Sequence, residues 1–250
     1  MGEFIADGMF RKTVVFTDQD TDRCGRVETG AILHQMEMIA GAHYDALGLG
    51  RATAVTHGCF WAVSRTELAL YAPVPVEQAL ELETWTGKQG HGLFWRHYKL
   101  QSSGGTVFAR GVSVWVLMDL TTRTLSRDRD WVTDKTVVSQ PGELESSLRR
   151  PALPQPLPGR CTRTVEVSET DINGHLNNTM YPRWADALLP EEYAHRHRPR
   201  RLWIEYKKEL PLGQTAVLEY LLDGDTLYLR GTADENESFI LRCDYDPIAE

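Results

Sequence analysis

The sequence predicts an α+β chain built from two copies of one unit, each an antiparallel sheet wrapped around a central helix. Three observations carry this. A long amphipathic helical pattern is followed by a run of β-branched and aromatic stretches. A later set of landmarks repeats the first set in the same order. A segment rich in structure breakers lies between them. With 250 residues the chain is long enough to bury two cores, and its 42% hydrophobic content argues against disorder.

Residues 10–17 alternate as a first strand, with Phe10, Val14 and Phe16 on one face. A polar loop follows, Asp18-Gln19-Asp20-Thr21-Asp22-Arg23-Cys24-Gly25-Arg26. Its alternating acids suggest a calcium loop, but Arg23 stands where that loop needs glycine and Thr29 where it needs glutamate. Calcium is therefore rejected. Thr29 reads as the cap of a helix carrying Ile32, Leu33, Met36, Ile39, Ala40 and His43 at helical spacing, ending near Leu47-Gly48. His34 and His43 lie on or near this helix without a second polar partner close in sequence, so neither reads as catalytic. Four strands are expected next, at 60–71, 79–88, 93–101 and 106–120, with turns at Gln89-Gly90-His91-Gly92 and Ser102-Ser103-Gly104-Gly105. One helix followed by such a meander fits a sheet wrapped round a central helix.

Residues 134–159 change character, with Pro151-Ala152-Leu153-Pro154-Gln155-Pro156-Leu157-Pro158 as the densest breaker run and a short helix expected at 143–150. The expected division is a first unit at 1–133, a linker at 134–159 and a second unit at 160–250. Asp22-Arg23-Cys24-Gly25-Arg26-Val27 is answered by Asp171-Ile172-Asn173-Gly174-His175-Leu176, 149 positions on (22 to 171). Trp61 to Leu70 and Trp203 to Leu212 both spell Trp-x5-Glu-Leu-x-Leu. Strands at 216–222, 226–232 and 239–245 complete the second unit, with Asp223-Gly224 as a hairpin turn.

Chemistry concentrates in the second loop. Asp171, Asn173 and His175 place a carboxylate, an amide and an imidazole at alternate positions, and Asn177 or Asn178 is suited to cap a following helix. Unsatisfied N–H groups at a helix start suit a developing oxyanion. The competing reading is a side-chain-stabilised turn with His175 packed beside it. In the first copy Cys24 replaces the amide and Arg26 the imidazole, so one active half and one substrate-holding half is the inference.

The pattern Asp-x-Asn-Gly-His-x-Asn-Asn-x-x-Tyr at 171–181 resembles the active-site loop of hotdog thioesterases. The whole chain resembles the acyl-acyl carrier protein (acyl-ACP) thioesterases of plant and bacterial fatty-acid type. Further segments carry the likeness: Leu82-Glu83-Thr84-Trp85, Ala109-Arg110-Gly111-Val112-Ser113-Val114-Trp115, and Ile204-Glu205-Tyr206-Lys207-Lys208-Glu209. The resemblance implies a tandem (double) hotdog fold and hydrolysis of fatty acyl-ACP, with Asp171, Asn173, His175 and Glu209 as catalytic residues. Plant members carry a cysteine after the acid on the following strand; Leu210 excludes a thiol nucleophile here. Glu67, the repeat counterpart of Glu209, leaves room for a structural role shared by the two.

Thioester hydrolysis needs an activated water and oxyanion donors, while a thiol of pKa ~8.5 leaves with little acid assistance. Glu209 or His175 is expected to activate water, with Asp171 fixing His175 or sharing that task. Asn173 and the helix start would polarise the carbonyl. Leu33, Met36 and Ile39 offer an adaptable apolar face for an acyl chain, against the alternative of an ordinary core. The basic run His195-Arg196-His197-Arg198-Pro199-Arg200-Arg201 is the candidate dock for an acidic carrier, placed near the site entrance; its arginines are Arg196, Arg198, Arg200 and Arg201.

The formal charge of −8 disfavours nucleic acid. No apolar run approaches the ~20 residues that cross a membrane. The start lacks signal-peptide features, and Ala6 breaks a myristoylation motif. Cys24, Cys59, Cys161 and Cys243 show no metal-ligand spacing and read as reduced thiols, so the expected setting is cytoplasmic with no metal or cofactor. A homodimer is left open. The rival readings are an acyl-CoA thioesterase, another hotdog enzyme such as a dehydratase, and a non-catalytic acyl-binding hotdog protein.

Overall fold

The computed structural model describes residues 2–5, 8–133, 144 and 150–248. The first unit begins with β1 (Glu3–Phe4) and β2 (Phe10–Val14). β2 is shorter than alternation alone predicts. The Asp20 carboxylate accepts the Thr17 backbone N–H at 2.8 Å and draws residues 18–20 into a single 3-10 turn. Helix α1 (Thr29–Ala46) follows; Thr29 is its first helical residue and Glu28 its cap, one position earlier than expected. Ile32, Leu33, Met36, Ile39, Ala40, His43 and Tyr44 are buried along one face, as their three- and four-residue spacing requires. A second short helix, α2 (Arg51–Thr56), leads into β3 (Cys59–Leu70), β4 (Leu80–Gly90), β5 (Leu93–Gln101) and β6 (Val107–Asp119), followed by α3 (Asp130–Thr133). His43 lies in this core, stacked on Phe10 with the rings 5.4 Å apart; burial, aided by the Arg96 charge, pushes its pKa down to about 3. His34 is exposed.

The second unit runs β7 (Gly159–Thr164), α4 (Tyr181–Asp186), α5 (Glu191–Arg196), β8 (His197–Tyr206), β9 (Thr215–Asp223), β10 (Thr226–Ala233) and β11 (Asn236–Pro247). Its central helix is divided. Pro190 has no N–H to continue the ladder and instead stands at the start of α5. The sequence suggests two sheets. Their central strands pair antiparallel, Arg65 with Glu205 through Ala69 with Arg201, which joins them into one 11-stranded sheet. These are the strands that carry the two Trp landmarks, Trp61 and Trp203. A core cluster runs through both units, with Ile32 and Met36 of α1 and Trp184 of α4 among its members.

On the opposite face Val112, Val114, Trp203 and Ile240 form a smaller cluster. Leu144 and Leu153, described residues from between the units, pack on it. The helix expected at 143–150 falls almost entirely outside the described residues.

Candidate active site

The second-unit loop is built by Asp171. Its Oδ1 accepts the backbone N–H groups of Asn173 (2.8 Å) and His175 (3.2 Å), and its Oδ2 accepts from Asn173 Nδ2 at 3.0 Å. Gly174, at φ 77, lets the chain reverse inside this frame. Asp171 therefore fixes His175 through its backbone, with both carboxylate oxygens spent on the turn. The turn reading and the chemical reading of the loop describe the same structure.

Asn177 does not cap a helix. Its Oδ1 accepts from the Thr179 N–H at 3.0 Å and the Thr179 hydroxyl at 2.8 Å, and α4 begins only at Tyr181, after Met180. The helix that follows the loop has six residues and no side-chain cap. The loop's own groups, rather than a strong helix dipole, provide its polarity.

Glu209 sits off the strand. β8 stops at Tyr206 because the N–H groups of Lys207 and Lys208 both turn to the Ser238 carbonyl, at 2.9 and 3.1 Å. The following loop is stitched to the Asp171 loop: Leu176 N–H donates to Leu210 O (2.7 Å) and Leu212 N–H to Gly174 O (3.0 Å). This brings Glu209 Oε2 to 3.6 Å from His175 Nδ1. Arg123, from the loop after β6, also pairs with Glu209. Glu67 has a different setting. It is a buried strand residue paired with Arg201, so the repeat counterparts share a sequence position and not a role.

Asp171, Asn173, His175 and Glu209 all line one open cleft of about 690 Å³ between the units. Its opposite wall is apolar and aromatic, with Phe60, Val63 and Trp115 from the first unit. Tyr181 lines it too, its hydroxyl pKa raised by burial first and by the Glu209 and Asp171 charges after that. Glu37 of α1 reaches into the same cleft, and sequence reasoning missed it. An acid at the edge of the apolar stripe, beside Met36 and four residues after Leu33, was the available signal. Burial pushes its carboxyl pKa up to about 8; a hydrogen bond with Asn178 opposes the shift, and the Asp171 charge adds to it.

The expected acyl-contact residues divide. Leu33 and Met36 line a small cavity of about 10 Å³ beside the cleft, and Glu37, Val63, Trp115 and Tyr206 line both spaces. Ile39 lines neither and is fully buried in the main core, where its methyl groups pack instead. None of the arginines expected to dock the carrier lines the cleft. Arg196, Arg198, Arg200 and Arg201 stand at the start of β8 or just before it, and Glu209 follows its far end. At ~3.3 Å per residue, Arg198 lies about 26 Å and Arg201 about 17 Å from the end of the strand at Tyr206. Their charges are also engaged: Arg196 with Glu192, Arg198 and Arg200 with Asp246, Arg200 with Asp244, and Arg201 with Glu67.

The first-unit loop repeats the frame without the chemistry. Asp22 Oδ1 accepts the N–H groups of Cys24 (2.8 Å) and Arg26 (3.0 Å), as Asp171 does for Asn173 and His175. Arg26, in the place of His175, binds Asp22 at 2.7 Å and donates to the Ala194 carbonyl at 3.0 Å and to that of His197. The imidazole has been replaced by a brace.

Against known families, the Acyl-ACP thioesterase N-terminal domain matches residues 8–135 and the Acyl-ACP thioesterase C-terminal domain matches residues 160–245. The chain belongs to the acyl-ACP thioesterase family. Among its relatives, the chloroplastic oleoyl-acyl carrier protein thioesterase 2 of Arabidopsis thaliana is 27% identical, over 82% of this chain and 59% of that protein. The chloroplastic palmitoyl-acyl carrier protein thioesterase of Cuphea hookeriana is 26% identical, over 88% and 56%. The chain thus spans less than two thirds of these relatives. Two solved structures share the fold over nearly their full length. An acyl-ACP thioesterase from Bacteroides thetaiotaomicron has a TM-score of 0.85 at 21% identity, covering 96% of this chain and 98% of that one. The 12:0-ACP thioesterase from Umbellularia californica has 0.83 at 19%, covering 98% and 100%. The tandem hotdog of the acyl-ACP thioesterases is therefore the fold.

Proposed function

We propose that this chain hydrolyses the thioester of fatty acyl-ACP, releasing a free fatty acid and ending chain elongation. The observation that carries the reading is His175 beside Glu209 at the wall of a cleft whose other side is apolar. With Nδ1 donating to Glu209, His175 Nε2 is the basic nitrogen, the arrangement that serves a general base. At 3.6 Å the contact is longer than a hydrogen bond, so it has to shorten when substrate arrives.

In this reading His175 takes a proton from water as the water oxygen attacks the carbonyl carbon. The carbonyl electron pair moves to oxygen and returns as the C–S bond breaks, and the thiolate leaves. Asp171 and Asn173 hold the loop that presents His175. The acyl chain lies along the first-unit wall toward Leu33 and Met36. The acidic carrier approaches by the cleft rim, where Lys208 is exposed, rather than by the ion-paired run in the first half of β8. The four cysteines are free, which suits a reducing compartment, in our reading the cytoplasm.

Thiol release from acyl-ACP and from acyl-CoA of equal chain length tests the proposal. Faster turnover of acyl-ACP is expected. Turnover of acyl-CoA alone would move the reading to a coenzyme A thioesterase, and binding without thiol release would remove the enzyme reading.

A further inference from the structure

The first unit supplies more than a wall to the cleft. Glu37, on α1, lines the cleft together with His175 and with Asn178, just beyond the Asn173–His175 stretch of that loop. The groups around it include cations, but none is paired with it among the described residues. Asp171 and His175 face it from the loop. Tyr206, Lys207, Lys208 and Glu209 line the cleft from the end of β8, Tyr98 lies on the β5 side, and Arg123 comes from the loop after β6. Among the described residues no Lys, Arg or His forms an ion pair with Glu37. The carboxyl, half-buried in the cleft beside Asp171, is shifted toward its neutral form, because burial and the Asp171 charge both penalise ionisation and no ion-pair partner offsets them.

The repeat shows that an acid at this place belongs to the unit. The spacing of 149 that relates Asp22 to Asp171 also relates Glu37 to Asp186 (37 to 186). Asp186 lies on α4 and lines the groove against the Asp22 loop, as Glu37 lines the cleft against the Asp171 loop. Each unit's helix thus offers an acid to the other unit's loop. Where the loop has become Arg23, Cys24 and Arg26, the acid faces guanidinium groups; where it keeps Asn173 and His175, the acid faces the cleft.

We infer that Glu37 is a catalytic residue of the proposed hydrolysis, its carboxyl O–H donating to the thioester carbonyl oxygen while His175 activates water from the second unit. The inference rests on the hydrolase reading above. Its proton is shared with the oxyanion and not lost. The water proton goes to His175, the tetrahedral oxyanion is held by the Glu37 O–H, and the C–S electron pair leaves with the thiolate. A neutral acid adds no negative charge beside the oxyanion, which a carboxylate would.

Two variants separate the roles. Glu37→Gln keeps a neutral donor of the same shape; Glu37→Leu removes it. With acyl-ACP, kcat of the leucine variant is expected to fall by roughly 100-fold while its KM changes little, as for loss of one oxyanion donor. The glutamine variant is expected to keep kcat within about 10-fold of the native protein and to lack the fall in rate above about pH 8 that is expected of the native protein. Asp186→Asn should leave kcat unchanged. Loss of activity in the glutamine variant equal to that in the leucine variant would make Glu37 a base and overturn the inference, and native rates in both would do the same.

A readout without turnover keeps this distinct from failure of the hydrolase reading. An acyl-pantetheine analogue in which the thioester sulfur is replaced by CH₂ retains its carbonyl and cannot be hydrolysed. Its bound C=O stretch is expected at lower frequency in the native protein and in Glu37→Gln than in Glu37→Leu. An unshifted stretch in all three, or one equally shifted in all three, would overturn the inference whatever the activity.

Discussion

Replacing Glu37 by glutamine should change how stability depends on pH. The Glu37 carboxyl moves from an ordinary 4.5 to about 8 in the folded protein, mainly through burial. Between those values the folded state holds a proton that the unfolded chain has released, so stability falls as pH rises from about 4.5 to 8 and is lowest above 8. Each decade of proton affinity is worth ~1.4 kcal/mol, so the full shift corresponds to about 5 kcal/mol. The cleft is open to water on one side, and halving the figure for that gives about 2–3 kcal/mol. The glutamine variant lacks this proton and should not lose that stability. Urea unfolding of both proteins at pH 5 and pH 8.5 tests it. The variant should gain roughly 2–5 kcal/mol on the native protein between the two conditions. The comparison cancels groups common to both, including Asp186, which burial pushes up to about 7. Parallel stability curves would refute the reasoning and leave Glu37 ionised at neutral pH.

His175→Ala and Asn173→Ala are each expected to cut turnover by roughly 100-fold with the fold intact, read by kcat and thermal melting. Arg26→Ala should instead lower the melting temperature and leave kcat per folded molecule near native, because Arg26 braces residues 194 and 197. Gly111→Ala would bring a methyl group within 2.5 Å of Met36 Cε, so Met36 should move toward the small cavity and favour shorter chains in an acyl-ACP chain-length series. Lys208→Glu should raise KM for acyl-ACP and not for acyl-pantetheine. Reversal of Arg198 and Arg200 to Glu should cost stability by breaking the pairs with Asp244 and Asp246 and act equally on both substrates.

Features with local causes were legible. The buried face of α1 follows from its spacing, and the meander follows from residue type and the turns between strands. Features set by distant partners were not. Pairing of β3 with β8 depends on which strand of each unit is free to accept a neighbour, and periodicity carries no record of that. Alternation continued to 209 puts Glu209 on β8, yet two N–H groups bonding to the single Ser238 carbonyl end the strand first. Charge density around Arg198 was visible, but the acids that neutralise it lie on β11. Asn177 has a good capping side chain, which Thr179 claims before any helix starts. Glu37 is the instructive omission. On a helix read for its apolar stripe, one acid looks like an interruption until the repeat places Asp186 at the same position.

That correspondence bears on why a duplicated chain would keep one site. If each unit's loop works with the other unit's helix, neither unit is complete alone and duplication yields two composite sites. Losing one requires changing a single loop, since the helix acid can remain as a buried group. The Asp22 loop shows that economy: its frame and its turn persist, and the side chain that replaced the imidazole now ties α5 and β8 to the first unit. A brace at one site fixes how the two units meet, and the same meeting sets the gap between Glu37 and His175 at the other. The second site would thus have exchanged chemistry for rigidity that the first one uses.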